Sequence, residues 1–321
     1  MESISSRGGL LALHVSLFLF GVSALFGKTI AASPIVVTCV RSLTGSLALT
    51  CFLAVWTGRL PWSRRLIGRT FASGALLALH WSSFYGSIQG GSVALGMLTC
   101  AVYPVFVVLL AWMVDRQRPT PGEWVCTVVV LIGLALLVPW DQLFSDRLDV
   151  VWFLALGAGL LAALTFAGLT LINRGLVRSE GPLQVVMAQM LWAGLLLLPV
   201  SATSLGAIAP RDRLLLILLG IVFTAGAHGL FTISLRSVPV AIVGITSGLE
   251  PVYGMVFAWL LIGEVPSLLM AVGGLLIIGA GVAMLLAAPS GEESLREEPA
   301  AARDSLALVE RLMHEEADRS R

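Results

Sequence analysis

Ten apolar runs follow one another along this chain, and the loops between them are too short to hold a soluble domain. Each run has about 17–25 residues, the length that an α-helix needs to cross a bilayer. Charged residues make up only 12% of the sequence, about half of their share in soluble domains. The sequence therefore predicts an all-α integral membrane protein with ten transmembrane helices. The runs cover residues 10–30, 35–57, 67–88, 92–114, 122–139, 150–173, 184–203, 213–235, 239–262 and 268–288.

Basic residues near the ends of these runs predict the orientation, because cytoplasmic loops carry an excess of Lys and Arg. With the N-terminus in the cytoplasm, ten basic residues that precede the C-terminal tail lie inside and five lie outside. We therefore expect a multi-pass protein of the plasma membrane, typical of a bacterial inner membrane, with both termini cytoplasmic. The inside set is Arg7, Arg59, Arg64, Arg65, Arg69, Arg116, Arg118, Arg174, Arg178 and Arg236, and the outside set is Lys28, Arg41, Arg147, Arg211 and Arg213.

Charge and motifs exclude several classes of partner. The net charge is only +1, so no basic surface suggests a nucleic acid. The cysteines lie singly in apolar runs, a pattern that predicts neither disulfides nor a metal site. No phosphate-binding loop or dinucleotide motif occurs, so we expect no cofactor. The four cysteines are Cys39, Cys51, Cys100 and Cys126.

The sequence repeats itself with an offset of 147 residues, which places "AVYPVFVVLLAWMVDRQRPT" (101–120) on "GLEPVYGMVFAWLLIGEVPS" (248–267) and Pro104 on Pro251. Each copy holds five spans, and an odd number of spans inverts the second copy in the membrane. Inverted repeats are typical of alternating-access transporters. We divide the chain into a first repeat at 1–140, a second repeat at 150–288 and a charged cytoplasmic tail at 289–321.

The same residues resemble a known family. The segment "SVPVAIVGITSGLEPVYGMVFAWLLIGEVPSLLMAVGGLLIIGAGVAML" (237–285), its counterpart at 90–137, and the early "LFGVSALFGKTI" and "TCVRSLTGSLAL" are similar to the EamA group of drug/metabolite transporters. The resemblance implies ten helices arranged as two inverted repeats of five. It also implies secondary transport of a small molecule across the lipid bilayer, without naming the solute.

Glu250 is the main candidate for the site, because it is the only charged residue of its run and a charge inside a membrane is costly. Its counterpart in the first repeat is Tyr103, so the two halves differ here. A carboxylate in a site of low dielectric has its protonated form favoured. Glu250 can therefore bind a substrate ammonium or couple transport to protons. The structural alternative is a glutamate that bonds backbone groups freed by Pro251.

Further polar residues inside the runs are candidates for lining a cavity. His80 and His228 lie at similar points of the third and eighth runs, and Trp81 and Tyr85 share one helical face by their spacing. Gln189 is a weaker candidate for hydrogen bonding. For the histidines, a bond within the bundle without any role in transport stays open as an alternative.

Other residues lie at predicted span ends or helix starts. Lys28 and Arg41 fall near the outer ends of the first two spans, where they either attract a substrate carboxylate at the entrance or extend to lipid headgroups. We interpret Pro104 and Pro251 as structural, because both repeats share this proline. Glu264 has no counterpart in the first repeat, so we also interpret it as structural.

Taken together, these residues predict a secondary transporter, an exporter of amino acids or related amphipathic solutes that works by alternating access with protons as candidate coupling ions. Efflux of drugs or quaternary ammonium compounds, and metabolite uptake, are alternatives on the same fold. An intramembrane enzyme is a remote alternative, because the spans lack paired aspartates or a metalloprotease motif. The tail leaves weak self-association open.

Overall fold

The computed structural model describes residues 6–116, 118–138, 150–234 and 246–287. These residues form helices and short connections, and no strand occurs among them. The first half contains α1 (Ser6–Ser23), α2 (Phe26–Thr29), α3 (Pro34–Thr57), α4 (Arg64–Arg69), α5 (Phe71–Gly90), α6 (Val93–Cys100), α7 (Tyr103–Asp115) and α8 (Pro121–Leu137). The second half contains α9 (Val150–Ser179), α10 (Pro182–Leu205), α11 (Pro210–Gly220), a π-helix (Ile221–Gly226), α12 (Ala227–Ser234), α13 (Glu250–Ile262) and α14 (Leu268–Ala287).

The predicted all-α class is confirmed for this part of the chain, and each of the ten apolar runs contains helix there. Among the described residues, six segments are long and apolar enough to cross a membrane, and three further apolar helices are shorter. The count of ten crossings stays a prediction, and the tail predicted at 289–321 lies outside the described residues. The six segments are Arg7–Thr29, Pro34–Thr57, Val93–Val114, Val150–Asn173, Pro182–Leu205 and Pro210–Phe231.

The two copies of the repeated motif have the same local structure. A turn at residues 101–102 precedes α7, and a turn at residues 248–249 precedes α13. Pro104 and Pro251 then occupy the second position of their helices, where a missing backbone N–H removes no intrahelical bond. The structure thus places both prolines where a helix restarts.

Both of these helices also end in the same way. Arg116 follows α7 with φ 58° and Gly263 follows α13 with φ 72°. The left-handed conformation favours glycine at such a position, so only the second copy has the residue type that this turn prefers.

Helices of the two halves pack against each other reciprocally. With the offset of 147 residues, α1 corresponds to α9, α3 to α10, α4 to α11, and α5 to the π-helix and α12. Helix α1 packs on α12 and α13, whereas α9 packs on α5, α6 and α7. Likewise α3 packs on α11 and the π-helix, whereas α10 packs on α4 and α5, and α3 and α10 pack on each other. Helices of each half therefore pack on the helices of the other half that correspond to their own neighbours in the repeat.

Ion pairs join loops at the helix ends. Lys28 Nζ lies 3.8 Å from a carboxylate oxygen of Glu264. The guanidinium groups of Arg65 and Arg69 lie 3.7 and 3.6 Å from Glu180. The predicted alternation of spans assigns the first pair to one side of the membrane and the second group to the other, so these contacts agree with that alternation.

Candidate functional site

A cavity of about 300 Å³ lies among helices from both halves of the chain. Its volume is at the lower limit for small-molecule sites, which span roughly 300–1,000 Å³. Helices α1, α3, α5, α6 and α7 contribute to its lining from the first half, and α9, α12, α13 and α14 contribute from the second. Most of the predicted site residues meet here, namely Glu250, His80, Trp81, Tyr103, His228 and Arg41.

Arg41 is a buried cation in the lining of this cavity, with 3% of its surface exposed. Its Nη1 donates to Tyr85 Oη at 2.7 Å, and its Nη2 and Nε donate to Thr224 Oγ1 at 2.9 and 3.2 Å. Its guanidinium carbon also lies 4.1 Å from the centre of the Trp81 ring, a cation–π contact that favours the charge. Hydroxyls and rings from α5 and the π-helix thus hold the group in place.

The partners of Arg41 are themselves oriented. Thr224 donates its hydroxyl proton to Leu219 O at 2.7 Å, and Tyr85 donates its own to Ser23 O at 3.2 Å. Each hydroxyl therefore presents a lone pair to the guanidinium. Thr224 reaches Leu219 because it lies in the π-helix, an element found frequently at functional sites.

This position corrects the prediction that Arg41 lies at the entrance. Helix α3 begins at Pro34 and is capped by Ser33, so Arg41 lies about two turns inside it. Polar groups of α5 and of the π-helix accept hydrogen bonds from its guanidinium there. Arg41 therefore does not depend on a lipid headgroup for hydrogen bonds. Tyr85 does not line the cavity. It orients Arg41 through the hydrogen bond between Nη1 and Tyr85 Oη.

Aromatic rings form one wall of the cavity. The Tyr103 and Phe166 rings lie 5.0 Å apart, and the Phe166 and His80 rings also lie 5.0 Å apart. His80 Nδ1 lies 2.9 Å from Ala162 O, and since a carbonyl only accepts, Nδ1 carries the proton. In the neutral ring, Nε2 is then an acceptor. His228 packs edge-on to Phe20 at 4.9 Å.

Glu250 lines the cavity at the start of α13, partly exposed to it. Cys100, Tyr103 and Arg41 line the same cavity. Among the described residues, the carboxylate of Glu250 and the guanidinium of Arg41 form no ion pair within 4.0 Å.

Three predicted residues lie elsewhere. Gln189 is buried and donates from Nε2 to Asn173 Oδ1 at 2.6 Å, so its partner is on α9 and the cavity lining does not include it. Lys28 donates to Gly91 O at 2.7 Å in addition to its pairing with Glu264. Glu264 also accepts a bond from Val93 N at 2.8 Å, which satisfies a free N–H of the first turn of α6.

Sequence reasoning missed Thr224 and Phe166. Thr224 stands in an apolar run like other threonines of this chain, and its bond to the carbonyl five residues earlier depends on a π-turn that sequence periodicity does not show. Phe166 is one of many apolar residues of α9, and only the packing of α9 on α5 brings it to the wall.

These helices define a multi-pass membrane protein, and helices from both halves line a cavity of about 300 Å³. The EamA-like transporter family matches residues 7–138 and again residues 153–287. The chain belongs to this family, as the resemblance predicted, and it is a small-molecule transporter.

Curated relatives agree with this class. The chain is 28% identical over 267 residues to the uncharacterized transporter YwfM of Bacillus subtilis, covering 78% of this chain and 85% of the relative. It is 26% identical over 282 residues to the pseudopaline exporter CntI of Pseudomonas aeruginosa, covering 87% of this chain and 96% of the relative. A riboflavin transporter of Brucella anthropi is 29% identical over 204 residues, 60% of this chain and 66% of the relative. One solved crystal structure has a similar fold, with a TM-score of 0.59 and 18% identity over 89% of this chain and 100% of that chain.

Proposed function

We propose that this protein is a secondary transporter that exports a small amphipathic metabolite, an amino acid or a related solute, by alternating access. The observation that supports the proposal is the cavity lined by both halves, whose lining includes a cation, a carboxylate and an aromatic wall. Few polar groups in a mostly apolar lining are typical of small-molecule sites. A relative named as an exporter supports the direction.

The reciprocal packing supports an inverted arrangement of the repeats. When α1 packs on α12 and α13 while α9 packs on α5, α6 and α7, the contacts follow the exchange that a twofold axis in the membrane plane would produce. Two copies related in this way can exchange conformations about a site at their interface, and the cavity occupies that position.

The ion pairs at the helix ends suit such a motion. Opening the cavity to one side requires the Lys28–Glu264 contact to separate, and opening it to the other requires Glu180 to leave Arg65 and Arg69. Partly exposed pairs contribute about 0–1 kcal/mol each, so they can break and form again during a transport cycle.

We infer that Glu250 couples transport to protons. Transport by the purified protein in liposomes, measured with and without a pH gradient, tests this. Glu250→Gln should abolish gradient-driven transport while exchange of solute across the membrane persists, because the amide binds no proton. Glu123→Gln, a change at a half-buried capping residue of α8 where the amide oxygen can still accept the bond from Thr120 N, is the control and should behave as the wild type. Gradient-driven transport by Glu250→Gln at the wild-type rate would refute the coupling.

The liposome measurement also distinguishes the proposed export from two alternatives, efflux of drugs and uptake of metabolites. A solute with only a positive charge meets Arg41 in the cavity lining, so a quaternary ammonium drug fits this site less well. With the protein inserted in one orientation, accumulation of solute in liposomes with an alkaline interior would favour uptake. Accumulation of solute in liposomes with an acidic interior would favour export.

A further inference from the structure

Arg41 has no carboxylate partner within 4.0 Å among the residues that the structure describes. Its known partners are the neutral hydroxyls of Tyr85 and Thr224 and the faces of two aromatic rings. A buried cation is normally paired, because burying a charge without a counter-ion is costly. The cavity therefore contains a positive charge for which the described residues supply no counter-ion within 4.0 Å.

The guanidinium also has hydrogen-bonding capacity that the described residues leave unused. It carries five N–H groups, and the bonds to Tyr85 and Thr224 engage one each on Nε, Nη1 and Nη2. One N–H therefore remains on each terminal nitrogen. A carboxylate accepts two such bonds in a planar fork, a geometry that lysine cannot provide.

Glu250 is a second charged residue among the described residues of the lining, and it forms no ion pair with Arg41 within 4.0 Å. The rings of Tyr103, Phe166 and His80 line the same cavity. A solute in this cavity therefore has a cation, a carboxylate and an aromatic wall within its lining.

We propose that Arg41 is the carboxylate-binding residue of this transporter and that its solute is a zwitterion with an apolar body. The solute carboxylate binds the two remaining N–H groups of Arg41, its ammonium lies toward Glu250, and its body packs along the Tyr103, Phe166 and His80 rings. The inference rests on the proposed function and narrows it, because it excludes amines and acids that carry only one of the two charges.

Competition binding to the full-length protein in detergent tests the proposal with three phenyl probes. Phenylalanine carries both charges, phenethylamine lacks the carboxylate and 3-phenylpropionate lacks the ammonium. A hydrogen-bonded charge contributes about 1.5–3 kcal/mol, so phenylalanine should bind roughly tenfold or more tightly than either analogue. In Arg41→Gln, phenylalanine should no longer bind more tightly than phenethylamine but should still bind more tightly than 3-phenylpropionate. In Glu250→Gln, phenylalanine should no longer bind more tightly than 3-phenylpropionate but should still bind more tightly than phenethylamine.

Controls separate recognition from folding and from transport. Arg59→Gln changes an exposed arginine in the same chemical way and should preserve the wild-type ranking. If Arg41→Gln does not fold, Arg41→Lys serves instead, because it keeps a positive charge but lacks the paired N–H groups of the guanidinium. Its preference for phenylalanine over phenethylamine should be smaller than that of the wild type. Equal binding of phenylalanine and phenethylamine by the wild type, or no binding of any probe at millimolar concentration, would overturn the inference. Liposome transport of another solute would in that case still support the proposed function.

Discussion

Arg41 of α3 and Thr224 of the π-helix are joined by two hydrogen bonds, although 183 positions separate them in the sequence. The bonds connect the first repeat to the second at the wall of the cavity. Thr224 can accept both because its own proton is donated to Leu219 O. The orientation of the buried cation therefore depends on the π-turn of the other half.

Replacing Thr224 by valine should weaken solute binding and lower the thermal unfolding temperature. Valine keeps the shape but removes the acceptor, and a hydrogen bond to a charged group contributes about 1.5–3 kcal/mol. Solute affinity should fall roughly tenfold or more, while Thr224→Ser should stay close to the wild type. Both quantities can be measured on protein purified in detergent. Equal behaviour of the valine and serine variants would contradict the role of the hydroxyl.

The crossing of α8 and α14 depends on two glycines. A Cβ on Gly133 would lie 2.8 Å from Gly273 O, and a Cβ on Gly273 would lie 2.6 Å from Gly133 O. Alanine at either position should destabilise the protein by about 1–3 kcal/mol through overpacking, seen as a lower unfolding temperature. Gly279 has no atom within 4 Å of an added Cβ, so Gly279→Ala is the matched control. A loss of stability in the control of the same size would exclude the close crossing as the cause.

The shared turn after α7 and α13 gives a third prediction. Arg116 has φ 58° where the second copy has Gly263, and a residue with a Cβ loses about 1–2 kcal/mol in this conformation. Arg116→Gly should raise the unfolding temperature, and Gly263→Ala should lower it. Arg116→Gln removes the charge but keeps the Cβ, so it should not reproduce the gain. If it does, charge rather than backbone conformation explains the effect.

Gln189 should affect stability and not recognition, because it bonds Asn173 and does not line the cavity. Gln189→Met leaves the Asn173 amide without this bond, at a cost of about 1–3 kcal/mol. The double change with Asn173→Leu should recover part of the loss, since replacing both partners by apolar groups is often nearly neutral. Solute affinity should stay at the wild-type value in each variant. A drop in affinity at unchanged stability would instead indicate contact with the solute.

Much of the fold follows from sequence because a bilayer imposes a length and a composition on each helix. Pro104 and Pro251 were interpreted as structural because both copies share this proline, and each lies in the first turn of a helix. Glu250, His80 and Trp81 stood out as polar or aromatic groups inside apolar runs, and the structure brings them to one cavity.

The remaining features depend on contacts that sequence position does not encode. Arg41 was expected at a span end, and only the partners Tyr85 and Thr224 explain its place inside the bundle. Gln189 was expected at the cavity, but its partner lies on α9, in a direction that a helical run alone does not reveal.

The pairing of Arg41 with Thr224 also bears on how the protein is made. When the ribosome has released the first five spans, Arg41 is already in the membrane, while Thr224 is still 183 residues further along the nascent chain. Tyr85 and Trp81 are the partners available to Arg41 from the first half during that interval. The surroundings of this cation are therefore completed late, and a truncated chain that ends before the π-helix would lack the two bonds to Thr224.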